Sequence, residues 1–262
     1  MKLIHIHGVW PLYTNTFLLI TAAGHAVVVD PAAEAETYLA QLKENNATLT
    51  DIFLTHGHYD HVGSVTALKK ATGAKVHMDL ADAKGDQMYP LTPDLIDAPW
   101  PAGNSEYQVD ELTFRIWHTP GHTPGGVVIA CGDRLFSGDT LFAGSCGRVD
   151  LPGGSAADMQ RSLALVADLP LPDETTVYPG HESFTTLGQE RRSNPISDGV
   201  RYFKYRVGVK ELSSGLKVCG IPAMRRVLFW QYWHKRDYNR LGSALTPPSN
   251  SGVLMQIVLR GA

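Results

Sequence analysis

Short apolar runs and amphipathic stretches alternate along this chain. Residues 2–9 and 15–20 read as two strands joined by the turn Pro11-Leu12-Tyr13-Thr14, and Ala26-Val27-Val28-Val29 reads as a third. That strand ends at Asp30-Pro31, where helix formers from Ala32 to Asn45 predict a helix. A strand at 51–54 precedes a helix from about Val62 to Thr72, closed by Gly73, and a strand at 74–78. Residues 79–105, with Pro90, Pro93, Pro99, Pro101, Tyr89 and Trp100, read as a long irregular loop: packing filler or a substrate-side lid. Alternation returns at Leu112–Trp117, and further strands read at 127–130 and 134–137 around the turn Cys131-Gly132-Asp133. A helix at 157–167 places Met159, Leu163, Val166 and Ala167 at core spacing; a strand at 175–178 and a helix from Phe184 to Arg192 follow. Hairpin-like strands at the start of each half, then strands alternating with helices, imply an α/β architecture. Two mixed sheets would pack face to face with helices outside and a site along one edge.

Composition narrows the class. With 262 residues and 44% hydrophobic content the chain can bury one sizeable core, or one domain with an extension. The net charge of −3 conceals a split. Residues 1–198 hold 12 Lys and Arg against 24 Asp and Glu; residues 199–262 hold 11 against 2. A boundary near 198 is therefore expected, and the acidic body argues against nucleic acid as substrate. Cys131, Cys146 and Cys219 are widely separated and form no C-x-x-C pair, which fits a reducing cytosol. Residues 1–7 have no apolar core of a signal peptide, and no stretch approaches the ~20 apolar residues of a membrane span. A cytoplasmic protein without a membrane partner is the expectation.

The candidate chemistry concentrates in Thr55-His56-Gly57-His58-Tyr59-Asp60-His61, straight after Ile52-Phe53-Leu54. In extended backbone, residues two apart share a face, so His56 and His58 can converge on one point. Asp60 and His61 can aim at a second point nearby. Neutral imidazole and carboxylate suit Zn, Fe or Mn. Further candidates sit where strands stop, at Asp139 and His181, or in a glycine-rich loop, at His122; Gly121, Gly138 and Gly180 directly precede these three. Asp30, also at a strand end, is a helix cap or a carboxylate that orients a ligand histidine. His118 is a structural competitor of His122. His5, His7, His77 and His234 have no ligand-like surroundings.

These stretches together resemble the metallo-β-lactamase superfamily, over roughly residues 1–198. The pattern is similar to its glyoxalase II-like branch, the hydroxyacylglutathione hydrolases. Thr-His-Gly-His-Tyr-Asp-His matches at His56, His58, Asp60 and His61. Thr-Pro-Gly-His-Thr-Pro-Gly matches at His122, Ser-Gly-Asp-Thr-Leu-Phe at Asp139, and Tyr-Pro-Gly-His-Glu at His181. The resemblance implies an αββα sandwich with two zinc ions, iron or manganese being alternatives. His56, His58 and His122 would hold the first metal, Asp60, His61 and His181 the second, and Asp139 would bridge them. A hydroxide shared by the metals would attack the carbonyl of a thioester such as S-D-lactoylglutathione. The leaving thiol, with a pKa of about 8.5, needs little help from an acid. Asp60 would act as ligand, or orient the nucleophile and carry its proton.

Substrate signals are fewer. Arg148, in Gly144-Ser145-Cys146-Gly147-Arg148-Val149-Asp150, stands about where glyoxalase II places a lysine that helps hold the glutathione carboxylate. Arginine can grip a carboxylate with two nitrogens; it can equally pair with Asp150. The Gly-Arg-x-Asp form also resembles persulfide dioxygenases of the same fold, which use one iron. Lactone, β-lactam and phosphodiester hydrolysis are further activities of the fold. Residues 199–262, basic with the aromatic run Val227–Trp233, do not resemble the helical glutathione-binding domain of larger relatives. They read as an extension with few contacts to the body; a nucleic-acid or membrane-surface module is the other reading.

Overall fold

The computed structural model describes residues 1–194, so the extension at 199–262, with Cys219 and His234, lies outside the described residues. Strands β1 (Lys2–His7), β2 (Asn15–Ile20), β3 (His25–Val29), β4 (Thr48–Phe53) and β5 (Lys75–His77) form a five-stranded sheet in that order. β1, β2 and β3 pair antiparallel. β3, β4 and β5 pair parallel, and the crossovers carry helices α1 (Ala35–Glu44) and α2 (Val65–Thr72). The second half gives β6 (Ser105–Val109), β7 (Leu112–His118), β8 (Val127–Cys131), β9 (Arg134–Gly138), the small hairpin β10 (Leu141–Phe142) and β11 (Ser145–Cys146), α3 (Ala156–Ala167), β12 (Thr176–Pro179), β13 (Thr185–Thr186) and α4 (Leu187–Ser193). Six of these strands form a mixed sheet in the order β13-β12-β9-β8-β7-β6, with β9 and β12 parallel.

The apolar runs are continuous because the inner strands are buried on both faces. Leu18, Ile20, Ala26, Val28 and Ile52 face α1 and α2. Their neighbours Phe17, Leu19, Val27, Val29 and Phe53 face the other sheet, against Phe114, Ile116, Val127, Ile129 and Phe136. From that second sheet Val128, Ala130, Leu135 and Val177 turn outward to meet Met159, Leu163 and Val166 of α3. One two-residue period therefore serves three cores, and the layers are helix, sheet, sheet, helix.

Several boundaries differ from expectation. α1 starts at Ala35 rather than next to Pro31, because Asp30 has φ +49° and the following residues are held elsewhere: Ser64 N donates to Pro31 O (3.0 Å) and Ala33 N to Tyr38 Oη (2.9 Å). α2 starts at Val65 rather than Val62 for the same reason, since Ser64 is bonded to the Pro31–Ala33 segment. α4 starts at Leu187 because Thr185 and Thr186 pair with β12. β6 was not expected: Glu106 and Gln108 point to solvent, and a single short alternation gives a weak signal. The 79–105 segment is packing filler at its aromatics. Trp100 is buried between the sheets with Nε1 donating to Leu54 O (3.0 Å), and Tyr89 is buried with its hydroxyl donating to Pro152 O (2.9 Å). Among the described residues Cys131 and Cys146 are free and buried, and no helix is long and apolar enough to cross a membrane.

Candidate metal centre

The seven candidate ligands come from four loops at one edge of the sandwich, and Asp30 joins them from a fifth. Asp30 follows β3, the His56–His61 stretch follows β4, Asp139 follows β9 and His181 follows β12; all leave the carboxyl ends of parallel strands. Open parallel sheets present their binding residues at such ends. His122 lies on the loop between β7 and β8. Gly180 is required by close approach: a Cβ there would fall on the Asp139 carboxylate and the His61 ring.

Three groups of three result among the described residues, one of them Asp30, His56 and His61, and two made only of candidate ligands. His56, His58 and His122, all buried, each offer a ligand atom within 4.8 Å of the others, and so do Asp60, His61 and His181. Asp139 lies between the groups, with Oδ2 3.3 Å from His122 Nε2 and 3.6 Å from His181 Nε2, and Oδ1 3.4 Å from His61 Nε2. Asp60 Oδ2 lies 3.2 Å from His181 Nε2 and accepts from Thr14 Oγ1 (3.3 Å). His118 is outside both groups, its Nε2 donating to Pro101 O (2.9 Å) and its Nδ1 3.3 Å from Asp79. His77 is a buried partner of Asp51 (2.8 Å), and His5 and His7 are residues of β1. Arg148 pairs with Asp150 through two nitrogens, at 2.7 and 3.0 Å.

Each of four imidazoles is tied by one nitrogen, which leaves the other aimed inward. His61 Nδ1 donates to Asp30 Oδ2 (3.0 Å), His122 Nδ1 to Arg148 O (2.7 Å) and His181 Nδ1 to Leu12 O (3.3 Å). Thr55 Oγ1 donates to Asp30 Oδ2 (2.6 Å) and so can accept from His56 Nδ1 (3.1 Å). Such bonds fix the tautomer and orientation of a ligating histidine. Asp30 is thus an orienting carboxylate and not a cap of α1, which has its N-cap at Glu34.

The electrostatics fit cations. Burial, with His61 and His122 close by, holds His56 well below the usual imidazole range, and burial with His122 pushes His58 down to about 3. These rings are neutral, with lone pairs to offer. Burial opposes the Asp139 charge, but His181, His61 and His122 outweigh it and hold that carboxyl well below its usual range. Burial likewise opposes charge on His61, yet Asp60 and Asp139 draw it well above the imidazole range. His58 Nδ1 and His122 Nε2 face each other at 2.9 Å, and His56 Nε2 is buried without a hydrogen bond. Buried polar atoms left so are costly unless something positive lies between them. The donor set, imidazoles and carboxylates, is that of Zn, Fe or Mn.

Sequence reasoning missed Asn15. Buried at the start of β2, it donates from Nδ2 to Pro179 O and Glu182 O (3.0 Å each), and its own N–H donates to Gly180 O (2.6 Å). It clamps the turn that carries His181. An Asn opening an apolar strand is the only local signal, and it does not reveal a partner 164 residues away.

Residues 9–181 match the metallo-beta-lactamase superfamily, and this chain belongs to that superfamily. It is similar to the hydroxyacylglutathione hydrolase GloC of Haemophilus influenzae, 35% identical over 206 residues, covering 74% of this chain and 97% of that protein. Among solved structures it resembles TTHA1623 in a di-iron-bound form (TM-score 0.62, 35% identity, 73% of this chain and 98% of that one). It also resembles ETHE1 from Myxococcus xanthus (TM-score 0.65, 29% identity, 80% of this chain and 93% of that one). The fold and the His/Asp cluster define a metallo-hydrolase of the metallo-beta-lactamase fold.

Proposed function

We propose that this protein hydrolyses a glutathione-linked thioester of the S-2-hydroxyacylglutathione type, S-D-lactoylglutathione being the model substrate, with two metal ions, zinc in the first instance. The observation that carries this reading is Asp139 standing 3.3–3.6 Å from ligand nitrogens of both three-residue groups, the position of a shared carboxylate. The hydroxyacylglutathione hydrolase of H. influenzae supports the substrate class. His56, His58 and His122 would hold one ion, Asp60, His61 and His181 the other, and Asp139 both. Bound there, the pair would supply Lewis acidity at the carbonyl and water acidified from a pKa of 15.7 to about 7.

The chain's own groups do the rest. Asp30 and Thr55 hold His56 and His61 in one tautomer. Asp60, more open than the histidines of the first group, would carry the proton during turnover while its Oδ2 stays beside His181. The Arg148 guanidinium is half-exposed, and a glutathione carboxylate would compete there with Asp150. No separate acid is required for a thiolate leaving group, whose conjugate thiol has a pKa of about 8.5.

The test is metal analysis of the purified full chain with S-D-lactoylglutathione hydrolysis in the presence of zinc, manganese or iron. About two ions per chain and thioester turnover abolished by chelator are expected. A second reading rests on the Gly147–Asp150 stretch, which adjoins the site through the Arg148 carbonyl on His122: a one-iron persulfide dioxygenase. One tightly held iron, with oxygen consumed on glutathione persulfide and no thioester turnover, would establish it instead.

A further inference from the structure

Asp82 ends a short 3-10 turn (Leu80–Asp82) beyond β5 and is fully buried. It carries no place in either ligand group, yet it touches both arms of the first. Its Oδ2 accepts from Gly57 N (3.1 Å), between His56 and His58, and its Oδ1 accepts from Gly125 N (2.9 Å), three residues after His122. Both contacts fall on glycine, and space explains it. A Cβ at Gly57 would lie 2.6 Å from Asp82 O and 2.8 Å from Asp82 Cβ; one at Gly125 would lie 2.9 Å from Asp82 Cγ and 2.9 Å from Asp79 Cβ. Two loops from different sheets thus press their backbones onto one carboxylate. Between those loops His58 Nδ1 and His122 Nε2 stand 2.9 Å apart.

We infer that Asp82 is a positioning residue that sets the spacing of His56 and His58 against His122, and so the affinity and geometry of the first metal site. This rests on the two-metal reading above. The Asp60-His61-His181 group is outside its reach, since its orienting contacts run to Asp30, Thr14 and Leu12. Asp82→Asn is the discriminating change. A carboxylate accepts at both oxygens, whereas the amide turns an NH2 toward one of the two N–H donors, so one loop loses its anchor.

The experiment is a stepwise zinc titration of the full-length, chelator-treated chain against a competing chromophoric chelator, with the visible spectrum of the cobalt-loaded chain beside it. In Asp82→Asn one binding step should weaken by about 10–100-fold, the range for lost outer partners of metal ligands, while the other stays within about threefold. The cobalt bands of the weakened site should shift. Asp51→Asn removes another buried carboxylate, one bonded to His77 and Tyr107, and should leave both steps and the spectrum unchanged. Equal weakening of both steps, an unchanged first step, or the same effect from Asp51→Asn overturns the inference. If Asp82→Asn does not fold, Gly125→Ala decides: a weaker first step supports the inference and an unchanged one overturns it. A wild-type chain that takes up no zinc, cobalt or iron removes the two-metal reading itself, and this inference with it; two ions bound with Asp82→Asn unaffected removes only the inference.

Discussion

His61 Nδ1 sits 3.0 Å from Asp30 Oδ2, and both side chains are buried. The same carboxylate accepts from Thr55 N (2.8 Å) and Thr55 Oγ1 (2.6 Å), so one residue after β3 organises the start of the metal stretch after β4. Asp30 does this from φ +49°, a left-handed conformation that costs a non-glycine residue roughly 1–2 kcal/mol. Strain held at such a position is repaid by the surrounding bonds.

Asp30→Ala should therefore weaken metal binding by about 10–100-fold and lower kcat/KM in parallel. Leaving Thr55 N–H without an acceptor should also destabilise the fold by roughly 1–3 kcal/mol. Chelator competition and urea denaturation of the same sample check the two parts separately.

Asp139→Ala removes the carboxylate between the two groups. Thioester turnover should be abolished and bound metal should fall below two per chain, a loss greater than the roughly 10–100-fold of an outer partner. Far-UV circular dichroism should be unchanged, because Asp139 lies beyond the end of β9 and supports no strand pairing.

Asn15→Ala should free the Pro179–Glu182 turn and loosen His181. Two carbonyls lose a buried donor, so a stability loss of roughly 1–3 kcal/mol is expected. On the two-metal proposal, binding at the Asp60-His61-His181 group should weaken while binding at the His56-His58-His122 group is kept; cobalt titration followed by its visible spectrum separates the two.

The Asp51–His77 pair predicts an acid limb in the stability of the metal-free chain. Burial opposes the Asp51 charge, but bonds from His77, Thr50 and Tyr107 outweigh it and depress the folded pKa below 3.8. A depressed carboxylate contributes stability above its unfolded pKa and loses it as pH falls through the folded one. Urea midpoints measured from pH 6 downward should fall below about pH 4, and less steeply in Asp51→Asn than in wild type.

The ligand types were legible along the chain because the fold supplies them locally. H-x-H puts two imidazoles on one face of extended backbone, and a Gly-His or Gly-Asp pair marks the sharp bend at a strand end. The sandwich was legible too, since the runs at 15–20 and 26–29 read as strands, and the structure buries both on both faces. What the sequence could not settle were choices made by distant partners. Asp30 could have capped α1; it turned instead to Thr55 and His61, because a buried imidazole needs an acceptor more than an exposed helix start does. Trp100 could have been a lid; it filled the space between the sheets. Asn15 and Asp82 carry no local mark, and their roles exist only where β2 meets the His181 turn and where two loops close on one carboxylate. Short-range periodicity is written in neighbours along the chain, whereas hydrogen-bond demand in a buried site is met by whichever residue packing brings within 3 Å.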